Sequence, residues 1–247
     1  STGNTAFYTP SGSTANGTWQ VGPSVPNGLG APDAAAALMS NGKVLCAVSP
    51  APTSADHFPP PTYFYEFDPT SNQFSVIGAP GGGTSSNHSA YVTNMLDLPD
   101  GNVLYCRQGT TQYYVYQPAG GPVVSAKPAI TSYDQVSCGT YRIKGTLFNG
   151  VTEGAYYGDD WQMSTNYPLV RLTSGSNVYY ARTFNWNSTG VARGTAPDSC
   201  SFTLPAGLPL GTYSLAVVAN GIASDPVSFT TGATPVATIA LTSGSNP

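Results

Sequence analysis

The hydrophobic pattern of the first half consists of short apolar stretches interrupted by turn-forming dipeptides. Two segments, 34–45 and 93–104, share the order apolar stretch, turn, apolar stretch, with an Asn-Gly turn at Gly42 and an Asp-Gly turn at Gly101. Such dipeptides are strong signals for β-hairpins, because type I′ turns need a positive φ at both central residues. Both segments therefore predict β-hairpins.

An aromatic stretch that ends in proline follows each predicted hairpin. It occupies 63–69 after the first hairpin and 113–118 after the second, and an earlier copy occupies 6–10. A hairpin followed by an aromatic strand, repeated with the same turn and the same proline placement, is typical of the four-stranded blades of a β-propeller. The alternative interpretation is a meandering antiparallel sandwich.

These repeats are too few for a complete propeller. Residues 1–25 match the last two strands of a blade, 30–80 match a whole blade, and 90–125 supply at least three strands. A closed ring takes about 4–8 blades. We therefore expect the missing blades to come from an upstream segment or from another chain, and self-assembly would cover the same bare faces.

The second half of the chain predicts a different domain. Between 126 and 232, short strands, one of them predicted over 135–143, are separated by Asn-Gly and Ser-Gly turns. About seven strands in this length are typical of an immunoglobulin-like β-sandwich. The sequence thus predicts an all-β chain with propeller blades over 1–125, the sandwich over 126–232 and a linker or tail over 233–247.

Composition and charge exclude several classes of protein. Only 8% of the residues are charged, the net charge is −4, and the eight Lys and Arg residues are scattered singly. A nucleic-acid surface needs clustered cations, so this class of protein is excluded. A transmembrane helix needs about 18 consecutive apolar residues, and no apolar stretch of the sequence approaches that length. A surface rich in Ser, Thr and Asn favours an exported protein, so we expect an extracellular or cell-surface location, with any secretory signal removed before Ser1.

The two halves together resemble the galactose-oxidase-like proteins. The residues that carry the resemblance are 95–104 in the first half, and 157–160 and 166–172 in the second. In this family a kelch-type propeller precedes an immunoglobulin-like C-terminal domain of the E-set class. The resemblance covers only the C-terminal portion of the family, and it implies about 2–3 kelch-like blades followed by the sandwich.

The enzymes of this family are radical copper oxidases that use two Tyr, two His and a Cys–Tyr thioether. The resemblance places Tyr91 and Val92 where the family has a Tyr-His pair, and Gln162 where it has the second His. Copper needs imidazole nitrogen at these positions; Val92 cannot ligate a metal, and Gln162 is a poor substitute. We therefore expect no copper site, no other cofactor and no catalytic residue in this chain.

The two histidines, His57 and His88, lie in polar loops of the sequence. Neither has a second His or Cys at metal-ligand spacing. A role in loop polarity is therefore the prediction for both.

Exposed aromatic side chains and one pair of carboxylates are the candidate binding residues. Aromatic rings stack on sugar faces while Asn and Asp bond sugar hydroxyls, and a site of this kind needs few charges. The alternative is that the rings form the interface between sandwich and propeller, and that the two Asp pair with arginines or cap turns. The candidates are Tyr156, Tyr157, Asp159, Asp160, Trp161, Tyr167 and Trp186. The resemblance implies that the loop 156–167 reaches toward the propeller axis.

Four cysteines allow two disulfides, which export favours. Cys138 and Cys200 both lie in the predicted sandwich, so we predict that they pair. Cys46 is four residues past its turn glycine and Cys106 is five past its own, which places them on opposite faces of their blades. Because adjacent blades pack opposite faces together, we predict a second disulfide between these two residues.

The sequence favours a non-catalytic extracellular binding or structural module, either carbohydrate-facing or part of a surface assembly. The alternative is a copper oxidase of the galactose or glyoxal type, which acts on alcohol or aldehyde groups and whose site is completed by sequence absent from this chain.

Overall fold

The computed structural model describes residues 3–9, 11, 14–151 and 167–232, and these residues form an all-β structure. Three short 3-10 helices, Pro26–Gly28, Ala90–Val92 and Val124–Ala126, interrupt the strands. No helix among the described residues has the length and apolarity needed to cross a membrane.

The first half forms three small antiparallel sheets. The N-terminal hairpin consists of β1 (Ala6–Thr9) and β2 (Thr18–Val21). The first sheet consists of β3 (Leu29–Gly30), β4 (Ala36–Leu38), β5 (Val44–Pro50), β6 (Tyr63–Asp68) and β7 (Gln73–Ile77). The second sheet consists of β8 (Thr93–Asp97), β9 (Val103–Arg107) and β10 (Tyr113–Tyr116). Strands β4 to β7 pair in sequence order, as do β8 to β10, so both predicted hairpins are present.

The predicted type I′ geometry of the two hairpin turns is wrong. Gly42 and Gly101 have φ angles of 83° and 87°, but Asn41 and Asp100 before them are not in the left-handed region. The amide of Gly42 donates to the carbonyl of Met39 at 2.9 Å, which closes a four-residue turn. This is a type I turn followed by a glycine bulge, in which one residue rather than two needs a positive φ.

The first and second sheets pack face to face around a shared apolar core. Alternation along β5 directs Leu45 and Ala47 into this core, where they meet Met95, Val103 and Tyr105 of the second sheet. We call this the intersheet core.

The opposite face of β5 belongs to a different apolar cluster. It carries Cys46 and Val48, which pack with Val25, Leu29 and Tyr65. Strand β5 of the first sheet is therefore buried on both faces.

The predicted Cys46–Cys106 disulfide is wrong, since both thiols are free. The two residues do lie on opposite faces of their own sheets, but each lies on the face that points away from the intersheet core. Cys106 is paired across the strands with Asn94 and Tyr113, on the outer face of the second sheet. Both sheets therefore lie between the two sulfur atoms. The Cys46 thiol is also buried, and burial raises its pKa to about 12.

The predicted Cys138–Cys200 disulfide is also wrong. The segment predicted as one strand over 135–143 is a hairpin that turns at Cys138 and Gly139, so this cysteine is exposed at the turn. Cys200 lies opposite Ile143, about 10 Å farther along the strand, inside the core. A disulfide requires Cα atoms within about 7 Å.

The second half forms one sheet of eight strands. Its strands are β11 (Ala129–Ser137), β12 (Thr140–Thr146), β13 (Leu169–Ser174), β14 (Asn177–Phe184), β15 (Asp198–Thr203), β16 (Thr212–Ala219), β17 (Ile222–Ala223) and β18 (Val227–Thr230). The pairing order is β11-β12-β15-β14-β13-β16, with β17 and β18 both on β16.

The large sheet curls until its two edges meet. The Tyr133 hydroxyl on β11 donates to the Ser228 carbonyl on β18 at 2.8 Å, and the rings of Tyr133 and Phe229 are 5.4 Å apart. The enclosed core contains fully buried aromatic and aliphatic side chains, among them Phe202 and Leu215. Because the sheet curls, its inner face encloses an apolar core and its outer face is the polar surface.

The β8–β9 turn of the first half contacts the large sheet directly. A Cβ atom on Gly221, in the β16–β17 turn, would lie 2.7 Å from the Cα of Gly101 in the β8–β9 turn. Nearby, Lys127 forms an ion pair with Asp225. Glycine at position 221 therefore permits the close approach of the two turns.

Candidate functional site

A polar cavity of about 290 Å³ lies beside the second sheet, next to the loop between β9 and β10. Its lining combines uncharged hydrogen-bonding side chains, two tyrosine rings and one cation. These residues are Ser86, Asn87, His88, Tyr105, Arg107, Thr110, Gln112 and Tyr114, together with Pro80. We call it the polar cavity.

The orientation of His88 follows from its hydrogen bonds. The Thr62 hydroxyl donates to the His88 carbonyl at 2.7 Å, so its oxygen can accept from the ring Nδ1, which lies 3.2 Å away. The Ser89 carbonyl, 3.1 Å from Nδ1, can also only accept. Nδ1 therefore carries the proton, and Nε2 is the acceptor that faces the Tyr105 hydroxyl at 3.2 Å.

His88 and Tyr105 are both held in their neutral forms. Burial lowers the pKa of His88, and the positive charge of Arg107 contributes to the same effect. Burial raises the pKa of Tyr105 to about 12, so its hydroxyl stays protonated and donates to the imidazole. The pair therefore forms a neutral wall of the polar cavity at pH 7.

Arg107, the last residue of β9, supplies the one formal charge of this lining at pH 7. Four ion pairs join other lysines and arginines to carboxylates, but no carboxylate of the described residues lies within ion-pair distance of Arg107. Its side chain is half-buried. The cavity is therefore locally positive on a chain whose net charge is −4.

An apolar cavity of about 210 Å³ adjoins the polar one and shares Pro80, Tyr105 and Tyr114 with it. Apolar side chains of the intersheet core, such as Phe64 and Met95, line its far side. The rings of Tyr105 and Tyr114 lie 6.3 Å apart and separate the two spaces. Tyr114 thus presents an aromatic ring at the boundary between a polar and an apolar surface.

Five of the binding residues predicted from the sequence, Tyr156, Tyr157, Asp159, Asp160 and Trp161, lie outside the described residues. So does Gln162, and the predicted position of this loop stays a prediction.

The other two predicted binding residues, Tyr167 and Trp186, are brought together. Their rings stack at 5.5 Å with an interplanar angle of 23°. The indole of Trp186 donates to the Thr183 hydroxyl at 2.9 Å, which fixes it on the large sheet. Tyr167 borders a third cavity, of about 320 Å³, between the β8–β9 turn and the β16–β17 turn. A role in ligand binding and a role in an interface both stay predictions for these two residues.

Of the residues that the resemblance aligns with a copper site, the structure describes Tyr91 and Val92. Tyr91 and Val92 lie in the short helix Ala90–Val92, where the ring of Tyr91 packs 4.6 Å from that of Phe58. Among the described residues, no three His, Cys, Asp or Glu side chains are grouped as metal ligands would be.

The sequence did not single out the polar cavity, because its members come from distant segments. Thr62 and His88 are 26 residues apart, and His88 and Tyr105 are 17 apart. The one local signal is alternation along β9, which places Tyr105 and Arg107 on the same face of the sheet.

Comparisons of the chain with models of protein families, with curated proteins and with solved structures found no match.

Proposed function

We propose that the chain is a non-catalytic extracellular module that binds carbohydrate in the polar cavity. Kelch-like blades would carry the site, and an immunoglobulin-like sandwich of the E-set class would support them. The four strands β4 to β7 in consecutive order, followed by β8 to β10, support the propeller interpretation. The curled antiparallel second half supports the sandwich.

The observation that carries the binding proposal is the composition of the polar cavity. A sugar ring has one apolar face and a rim of hydroxyls, so its binding site needs an aromatic surface next to several hydrogen-bonding groups. Tyr114 supplies such a surface at the boundary, and the amides of Asn87 and Gln112 with the hydroxyls of Ser86 and Thr110 supply the donors and acceptors. The Tyr105 hydroxyl donates to His88 Nε2, but burial raises the pKa of Tyr105 to about 12, so this hydroxyl stays protonated. Binding rather than catalysis is therefore the proposed activity.

A glycan array tests this proposal, with the purified chain and two single variants. Tyr114→Ala removes the ring at the polar cavity, whereas Tyr113→Ala removes a neighbouring ring of the same strand on the outer face. We expect the wild type and Tyr113→Ala to bind the same glycans, and Tyr114→Ala to lose at least tenfold in affinity.

Absence of binding to every glycan, or equal binding by the two variants, would contradict the proposal. Metal analysis of the same preparation adds a further outcome. Stoichiometric copper with a tyrosyl-radical absorption band would replace the proposal with the oxidase alternative.

The partner proposal rests on the outer face of the second sheet. Leu96, Leu104 and Val115 stand side by side across its three strands, and Leu96 and Val115 are 44% and 53% exposed. Strand β5 of the first sheet, by contrast, is buried on both faces. We propose that a further sheet, from an upstream segment or from another chain, covers this outer face.

A further inference from the structure

We propose that the carbohydrate bound in the polar cavity is acidic, and that the carboxylate of a uronic acid residue binds to the guanidinium of Arg107. This inference rests on the proposed function, because it names the ligand class of the same site. Three features of the cavity support it: its charge, the fixed state of its other side chains and the geometry of the guanidinium group.

The charge of the polar cavity is positive and uncompensated within the described residues. Its lining contains no Asp or Glu, and Arg107 forms no ion pair there. By comparison, Lys43 and Arg193 each lie within 3 Å of a largely buried carboxylate. Arg107 is half-buried and has no carboxylate partner among the described residues, and such a cation interacts more strongly with an incoming anion than a fully solvated one does.

The hydrogen-bond state of His88 leaves the recognition of an anion to Arg107 alone. Both ring nitrogens already have partners, Nδ1 with Thr62 and Ser89 and Nε2 with Tyr105. The imidazole therefore neither adds a second cation nor presents a free acceptor that would repel a carboxylate. The remaining lining offers amides and hydroxyls, which suit sugar hydroxyl groups.

The shape of the guanidinium group suits a carboxylate. Its planar array of N–H donors matches the two oxygens of a carboxylate in a bidentate arrangement. The cavity, of about 290 Å³, is at the small end of ligand sites. This size favours a single uronic acid residue with its ring against Tyr114 and its neighbours in the chain outside.

Isothermal titration with paired ligands tests the inference. The pairs are short oligomers of galacturonate, glucuronate and mannuronate, each with its methyl ester, which keeps the shape and removes the charge. We expect the wild type to bind the acid of at least one pair at least tenfold more tightly than its ester. Arg107→Gln should remove this preference, and Arg107→Lys should retain part of it.

Arg142→Gln is the matched control, because it removes one cation from an exposed position on β12. It should leave the preference unchanged, and unfolding curves of all variants should show that they are folded. If the wild type binds acid and ester equally while Tyr114→Ala still abolishes binding, this inference is wrong and the proposed function stands. If neutral or sulfated oligomers bind and no acid does, the inference is also wrong. If Tyr114→Ala changes nothing, the proposed function itself fails.

Discussion

Gly81 determines where the ring of Tyr114 can lie. Its φ angle is 81°, and a Cβ atom there would be 2.9 Å from the Tyr114 hydroxyl oxygen. Gly83, two residues on, has a similar φ of 86° but open space around it. A substitution at either glycine strains the backbone, but only a substitution at Gly81 also brings a side chain against the Tyr114 ring. Comparing the two variants therefore separates the effect of strain from the effect of the contact.

Gly81→Ala should therefore weaken ligand binding, whereas Gly83→Ala should not. Both variants should lose about 1 kcal/mol of stability, because alanine is strained at positive φ. Affinity for the best glycan, measured by titration, should fall several-fold for Gly81→Ala only. Equal affinities for the two variants would show that the position of Tyr114 does not control binding.

His88 gives the stability of the protein a pH dependence of predictable sign. Burial lowers its pKa in the folded protein below the ordinary value of 6.5. As the pH falls, the unfolded chain therefore binds the proton first, so the contribution of neutral His88 is present above pH 6.5 and is lost below it. Protonation of Nε2 would also break the hydrogen bond that this nitrogen accepts from the Tyr105 hydroxyl.

The free energy of unfolding should thus fall between about pH 7 and pH 5 more steeply for the wild type than for His88→Asn. Urea denaturation at several pH values provides the comparison. Parallel pH profiles for the two proteins would mean that His88 is not held neutral by the fold.

At the scale of elements, the buried carboxylate of Glu66 joins the first sheet to the second sheet. The Tyr116 hydroxyl on β10 donates to Glu66 Oε1 on β6 at 2.8 Å, and Lys43 Nζ lies 2.9 Å from Oε2. Burial, and then the bond to Glu66, raises the pKa of Tyr116, so this hydroxyl remains a donor. Glu66 is only 7% exposed, which makes each of its partners important.

Tyr116→Phe should reduce the free energy of unfolding by about 1–2 kcal/mol, because it removes one hydrogen bond to a buried charge. Tyr113→Phe, on the same strand and exposed, should change it by less than about 0.5 kcal/mol. Urea unfolding followed by tryptophan fluorescence measures both. Identical stability of the two variants would show that the contact does not hold the sheets together.

The elements were more predictable from the sequence than their relations in space. Alternation of side chains and turn dipeptides located β4, β5, β8 and β9, because these signals are local. The same alternation put Cys46 and Cys106 on opposite faces but could not say which face was shared, since packing between sheets decides that. The turn at Gly139 was missed because a single glycine in a strand-like stretch is a weak signal.

The candidate site was the least predictable part. The wall formed by His88 and Tyr105 exists only because loop 84–89 and β9 are folded against each other, with Thr62 as the third partner. Aromatic content predicted a carbohydrate-facing surface in the second half, where five of the seven candidates lie outside the described residues, so that surface stays a prediction.

At the scale of the whole molecule, the apolar outer face of the second sheet predicts association. The chain alone should self-associate in solution, because Leu96 and Val115 are exposed side by side with Leu104 in the described part of the chain. Sedimentation velocity should show species larger than the 25.5 kDa monomer, and Val115→Ser should shift them toward monomer. Val178→Ser, at a similarly exposed position of the large sheet, is the control. A monodisperse wild-type monomer would contradict the partner proposal.

A crystal structure of the complex with the tightest-binding glycan would show whether the polar cavity is the carbohydrate site. We predict ligand density in the polar cavity, with a sugar ring against Tyr114 and a carboxylate within hydrogen-bond distance of Arg107. Density confined to another surface, such as the stacked rings of Tyr167 and Trp186, with the polar cavity free of ligand, would contradict the account.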